Sequence, residues 1–155
     1  MSLVFSCFPG TGKTWVYQNQ EQLGVSVLDS DSSVFSWLSE GVRNPDFPSN
    51  YITHIKENLG KFDVILVSCH TAVRDALYAD GISFRSVVPA KSEKENYLNR
   101  YRQRGSPASF VCLLCKNWDD WLRSMVIWCM DRGTGYTCIG ADFLGDWFKD
   151  GKVLL

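Results

Sequence analysis

The residues best suited to chemistry stand together near the amino terminus, in the run Ser6-Cys7-Phe8-Pro9-Gly10-Thr11-Gly12-Lys13-Thr14. Gly10 and Gly12 let successive backbone N–H groups converge without a Cβ in the way. A helix opening just after them adds partial positive charge to the same concavity. Pro9, Gly10, Thr11, Gly12, Lys13 and Thr14 are therefore candidate phosphate-binding residues. The Lys13 ammonium is expected on the β- and γ-phosphates of a nucleoside triphosphate such as ATP, and the Thr14 hydroxyl on Mg²⁺. The pattern G-x-x-x-x-G-K-S/T has Cys7 where it asks for its first glycine. Cysteine is small, so the loop is expected to survive the exchange. The competing reading, a helix cap beside an exposed lysine, explains neither the glycines nor the threonine.

Such a loop works only between a strand and a helix. Leu3, Val4 and Phe5 suit a short buried strand, and Trp15 to Leu23 a first helix that Gly24 stops. Val25 to Leu28 follows as a second strand, ending in Asp29-Ser30-Asp31-Ser32-Ser33, after which Val34, Phe35, Trp37 and Leu38 have helical spacing. Two carboxylates thus fall at a strand's carboxyl end, the edge where open α/β sheets bind ligands. Capping of the next helix by Asp31 or Ser32 is the plainer alternative.

The later chain repeats the alternation. Arg43 to Ser49 is a turn-rich connection, a candidate substrate flap, leading to a helix over Tyr51 to Leu59. Phe62 to Ser68 is a continuous apolar run suited to a central parallel strand beside the first. It ends Ser68-Cys69-His70 without an Asp, which shifts any metal-shell duty to Asp29 or Asp31. His70 sits at the functional edge, where contact with substrate and a backbone bond are equally open. A helix over Thr71 to Ala79 and a strand over Phe84 to Pro89 come next, and then Ser92-Glu93-Lys94-Glu95 opens a helix carrying Arg100, Arg102 and Arg104. Arg100 and Arg104 share a helix face, and a simple solvated face competes with a functional one. Phe110 to Met130 is a long helix whose Trp118, Trp121, Leu122 and Met125 are most simply core, with base stacking the lesser alternative. Tyr136 to Gly140 suits a last strand, and Asp142 to Asp150 a final short helix.

A length of 155 residues suits one domain, spanning 1–155, and a net charge of −1 excludes a global basic field for nucleic acid. Any such contact must be local. Lys91, Lys94, Arg100, Arg102 and Arg104 form one basic stretch against only Glu93 and Glu95, and Trp37 or Tyr51 are candidates to stack on a base. No amino-terminal apolar stretch suits a signal peptide or a membrane span, so a soluble, cytoplasmic chain with no membrane partner is expected. The six cysteines are scattered through apolar segments, as reduced core residues. Cys112 and Cys115 have no second pair to complete a metal site.

Strands alternating with helices imply a three-layer α/β/α architecture with a parallel sheet. The segments Cys7 to Thr14, Asp29-Ser30-Asp31 and Arg100-x-x-x-Arg104-Gly105 resemble the polynucleotide kinase type of P-loop kinase. The chain is similar as well to phage-encoded kinases that phosphorylate 5-hydroxymethyluracil in DNA. The resemblance implies a P-loop NTPase fold with a five-stranded parallel sheet and a helical lid over roughly residues 91–130. It further implies transfer of the γ-phosphoryl group of ATP to a hydroxyl of a nucleic acid, first a 5-hydroxymethyl pyrimidine in DNA, in a host cytoplasm if phage-encoded. In that scheme Lys13 and the lid arginines Arg100 and Arg104 hold the phosphates, Asp31 is the general base, and Thr14 with Asp29 serves the metal. The family's arginine shortly after the catalytic acid is missing, because Ser33, Val34 and Phe35 occupy that region. A nucleoside or nucleoside monophosphate kinase, and a non-enzymatic ATP-binding switch, are the alternatives.

Overall fold

The computed structural model describes residues 1–155. The first apolar run forms β1 (Leu3–Cys7), whose alternating side chains enter two different cores. Val4 joins one and Phe5 with Cys7 the other, as the period of two in a strand requires. The chain then turns through residues 8–12 into α1 (Lys13–Gln18), breaks at Asn19, and continues as α2 (Gln20–Leu23). The single helix expected over Trp15 to Leu23 is thus two short ones, parted at Asn19, whose backbone leaves helical geometry with φ of −109° and ψ of 16° while its main-chain and side-chain amides both cap the Trp15 carbonyl. After β2 (Val27–Asp29) comes α3 (Ser33–Ser36).

The helical spacing at Trp37 and Leu38 is overturned. These residues open a hairpin, β3 (Trp37–Ser39) and β4 (Val42–Arg43), turned at Gly41 with φ of 74°. Then come α4 (Ser49–Asn58), β5 (Val64–Ser68), α5 (Thr71–Ala79) and β6 (Arg85–Pro89). A 3₁₀ turn at Lys91–Glu93 leads into α6 (Lys94–Gln103), followed by the long α7 (Ala108–Arg132) and β7 (Gly135–Ile139). The final helix expected over Asp142 to Asp150 is also overturned. A 3₁₀ turn at Leu144–Trp147 gives way to a hairpin, β8 (Phe148–Lys149) and β9 (Lys152–Val153), because Asp150 and Gly151 both take the left-handed conformation of a tight hairpin turn.

Five strands make one all-parallel sheet in the order β2-β5-β1-β6-β7. From β1 the chain runs to β2 at one edge, returns inward through β5 to the place beside β1, and then crosses to β6 and β7 on the other side, so the switch of direction lies between β5 and β1. One face of the sheet is covered by α4, α5 and the carboxyl end of α7, through Ile52, Ile55, Val73, Leu77 and Trp128. The other face is covered by α1 and the carboxyl-terminal segment, through Val16, Leu144 and Phe148. A third cluster, with Phe8, Tyr97, Leu98, Trp118 and Leu122, joins α6 and α7 to the end of the sheet. Trp118 is fully buried there, with its indole N–H donating to the Lys91 carbonyl at 3.0 Å, and Trp121 packs against the same cluster. Both therefore serve the core.

All six cysteines are free, but only Cys7 and Cys129 are buried. Cys112 and Cys138 are exposed, because the turn of α7 carries the first outward and the second lies on an edge strand. No helix is long and apolar enough to cross a membrane.

At the opposite edge from the phosphate loop, Asp63 ties the start of β5 to the residue before β2. Its carboxylate accepts from the Ser26 amide and hydroxyl, both at 2.8 Å, and these bonds hold it below the usual carboxylate range. A group depressed in this way adds stability that is present above its unfolded value and lost as pH falls through its folded one. Denaturant midpoints measured from about pH 6 down to about pH 2 are therefore expected to fall more steeply for the wild type than for Asp63→Asn. Parallel curves would show that the carboxylate adds nothing to folding.

Candidate functional site

The loop after β1 is anchored from beneath. Phe8 is buried, its ring edge-on to Trp118 with centroids 5.5 Å apart, while its amide donates to the Val87 carbonyl of β6 at 2.9 Å. Thr11 is fully buried and its hydroxyl donates to the Phe8 carbonyl at 3.0 Å, so its side chain shapes the loop and does not face a ligand. The Thr11 carbonyl in turn accepts from the Leu144 amide at 2.8 Å. Gly10 and Gly12 have φ of 84° and 103°, which L side chains rarely adopt. A Cβ on Gly10 would also stand 3.2 Å from the rings of Tyr97 and Tyr101.

Cys7 explains its own tolerance. It is the last residue of β1, outside the left-handed region, and its side chain faces the core, so nothing at that position requires glycine. Burial pushes its thiol up to about 12, which leaves it neutral and unreactive.

The consequence of these anchors lies on the loop's outer side. The amides of Gly10, Gly12, Lys13 and Thr14 donate to no protein acceptor. All four residues line a cleft of about 760 Å³, together with Pro9, Trp15, Arg100, Arg104 and Phe143. Unpaired amides beside an ammonium are an anion site in the making.

Arg100 and Arg104 both line the cleft, but they do different work. Arg100 donates to the Gly10 carbonyl at 3.0 Å and the Ala141 carbonyl at 3.0 Å, and its guanidinium lies 3.7 Å from the Phe143 ring centroid. It is a strut between the phosphate loop and the segment after β7. Arg104, the residue capping α6, is exposed and lies 5.1 Å over the Tyr101 ring. Within the wider basic stretch, Lys91 is paired with Asp119 at 3.4 Å and Arg102 is held by Asn99 at 2.8 Å.

On the other side of Lys13 stand the acids. The Thr14 hydroxyl donates to Asp29 at 3.4 Å. Asp29 is half-buried, and desolvation raises its pKa despite the opposing pull of Lys13. A hydroxyl and a carboxylate suit a hard cation that keeps most of its shell from water and phosphate, and no cluster of three side-chain ligands competes for it. Asp31 is exposed, and one of its oxygens accepts from the Ser33 amide at 2.8 Å, the local capping bond that the sequence allows. Its second oxygen has no protein partner. The His70 ring makes no hydrogen bond within the chain, and its pKa is lowered by desolvation first, then by the Arg43 and Lys13 cations. Tyr51 leaves the list of stacking candidates: it is fully buried, with its hydroxyl on the Ser30 carbonyl at 2.8 Å.

Three contributors were not legible beforehand. Phe143 and Gly145 enter the cleft from the segment after β7, which has no motif, and Gly145 admits the Trp15 ring so closely that a Cβ would stand 2.4 Å from it. Arg43 arrives beside His70 from the unexpected hairpin. No protein-family model matches the chain, and no curated protein matches it.

The two arginines should separate experimentally. Loss of charge-assisted bonds makes Arg100→Ala destabilising by about 1–2 kcal/mol, read as a lower denaturant midpoint. Arg104→Ala should stay within about 0.5 kcal/mol of wild type. Equal stabilities for the two variants would remove the strut.

Proposed function

We propose that this chain is an ATP-dependent phosphotransferase with a P-loop NTPase fold, acting on a hydroxyl of a nucleic acid, first the hydroxymethyl group of a modified pyrimidine in DNA. One observation carries the reading: four loop amides without protein acceptors line a cleft beside Lys13, with the Thr14–Asp29 pair at its edge. The all-parallel sheet with this loop after its central strand supports the same fold. The acceptor and a cytoplasmic setting follow from the resemblance of the motifs and from where ATP and DNA are found together.

Phosphoryl transfer asks a protein mainly for position and for charge neutralisation. The loop amides and Lys13 bind the β- and γ-phosphate oxygens, and Arg104, exposed and in no ion pair, is the cation available to the γ-phosphoryl group. Thr14 and Asp29 are the residues that would hold Mg²⁺, which when bound neutralises charge on those same oxygens. Asp31 uses its unpartnered oxygen to accept the acceptor hydroxyl's proton. The acceptor oxygen then forms its bond to phosphorus as the bond to the β–γ bridging oxygen breaks and ADP leaves. The Asp31–Ser33 bond favours one rival, a nucleotide-sensing switch in which Asp31 only caps α3.

Mutants tell these readings apart. With γ-labelled ATP and a panel of plain DNA, hydroxymethyl-pyrimidine DNA, nucleosides and monophosphates, Lys13→Ala should lose turnover and bind ATP weakly. Asp31→Asn should keep ATP affinity while kcat falls on the order of 10²-fold or more. An unchanged kcat in Asp31→Asn would remove the general base, and ATP binding without transfer to any acceptor would favour the switch. Transfer to monophosphates alone would reassign the acceptor.

A further inference from the structure

The β3–β4 hairpin buries almost nothing for the fold. It stands outside the five-stranded sheet, and every residue of both its strands is exposed. Its apolar side chains are nonetheless large: Trp37 is 40% exposed, Leu38 65% and Val42 50%, with Val34 just before it at 74%. A hairpin with no core to fill gains nothing from such residues in water, and Trp37, on the face it shares with Arg43, is a large aromatic left open to a partner.

The same hairpin carries a cation that is ordered and unpaired. The Arg43 guanidinium lies 3.8 Å from the Trp37 ring centroid, across the register pair that joins the two strands. Arg43 takes part in none of the chain's ion pairs. The only carboxylate on the hairpin, Glu40, is at the turn and leaves the Arg43 end cationic. Its position is fixed at the base, where the Asn44 amide donates to the Ser36 carbonyl at 3.0 Å and the side chains of Asn44 and Asn50 both reach the Phe35 carbonyl. Phe35 in turn packs on Tyr51 and His54, with centroids 5.2 and 4.8 Å away. Only Ser32 and the four residues of α3 separate the hairpin from Asp31. Arg43 is not among the residues that line the cleft, and the hairpin follows directly on α3, the helix that begins just after Asp31.

We propose that this hairpin docks the acceptor as an unpaired nucleotide of a DNA strand, its base against Trp37 and its flanking phosphate on Arg43, the two side chains that share one face of the hairpin. An exposed aromatic beside an ordered arginine suits a base joined to a phosphate, the repeating unit of a single strand. Its place next to Asp31 rests on the kinase reading, whereas the docking itself needs neither ATP nor turnover.

The test is anisotropy of a labelled single-stranded oligonucleotide with the full chain in the absence of ATP. Trp37→Ala and Arg43→Gln are each expected to weaken strand binding by about tenfold or more, with ATP affinity and Tm as in the wild type. Arg43→Gln should also flatten the plot of log K against log salt by about 0.7, a change that Trp37→Ala should not make. A duplex and a free mononucleotide are expected to compete poorly. Strand binding that is absent in the wild type, or equal to it in both variants, overturns the proposal whatever the status of phosphoryl transfer. So does a mononucleotide that competes as well as the strand. If the hairpin variants lose the strand while no acceptor is ever phosphorylated, the docking surface stands and the kinase reading falls.

Discussion

Phe8 leaves β1 as the chain turns into the phosphate loop, and its ring is buried between Tyr97 and Trp118. Burial of a phenylalanine contributes about 1.5–3 kcal/mol, but its larger consequence is geometric. With Phe8 held in the α6–α7 cluster and Thr11 turned inward, the Gly10 amide between them is left facing away from the protein's own acceptors. Arg100 closes the same loop from above by bridging Gly10 to the segment after β7. The open outer face of the loop is thus a by-product of hydrophobic anchoring: apolar and main-chain contacts on one side leave the polar groups on the other side unpaired.

Lys13 divides this site into two electrostatic halves. One half is the cleft, where Arg100, Arg104 and the loop amides outweigh the single carboxylate of Asp146, itself held by the Phe143 amide. The other half holds Asp29, Asp31, His70 and Arg43, where charges of both signs meet. Asp29 shows what that arrangement costs the fold, since desolvation disfavours its charged form and Lys13 offsets only part of the effect. A half-buried carboxylate with a raised pKa beside a threonine hydroxyl has no evident structural benefit, and charged groups kept against their solvation preference mark functional sites.

The main elements were legible because their signals are local. The unbroken apolar run at Val64 to Val67 has no polar face and must be buried on both sides, which only an interior strand of a layered sheet allows. The hairpins were not legible for the opposite reason. Trp37 and Leu38 carry an apolar pattern without a core to match it, so their periodicity was indistinguishable from that of an amphipathic helix. At the carboxyl end, the turn at Asp150-Gly151 outweighed the helical pattern before it. Tyr51 looked available because tyrosine tolerates both environments, and only the packing of α4 against the sheet buries it.

By itself the sequence determined the glycine-bearing turn between β1 and α1, the two acids at the end of β2 and the alternation that builds a parallel sheet, since each depends on residues within a few positions of one another. The tertiary structure decided what those residues face. Asp29 meets Thr14 because β2 and β1 flank β5 in the same parallel sheet and end at the same edge. Arg100 became a strut and Arg104 a free cation, although they lie four residues apart on one helix. The difference is set by the segment at 141–143, which returns from β7 to occupy the first and not the second. Contacts between residues forty or ninety positions apart follow from how layers stack, and no local pattern encodes them.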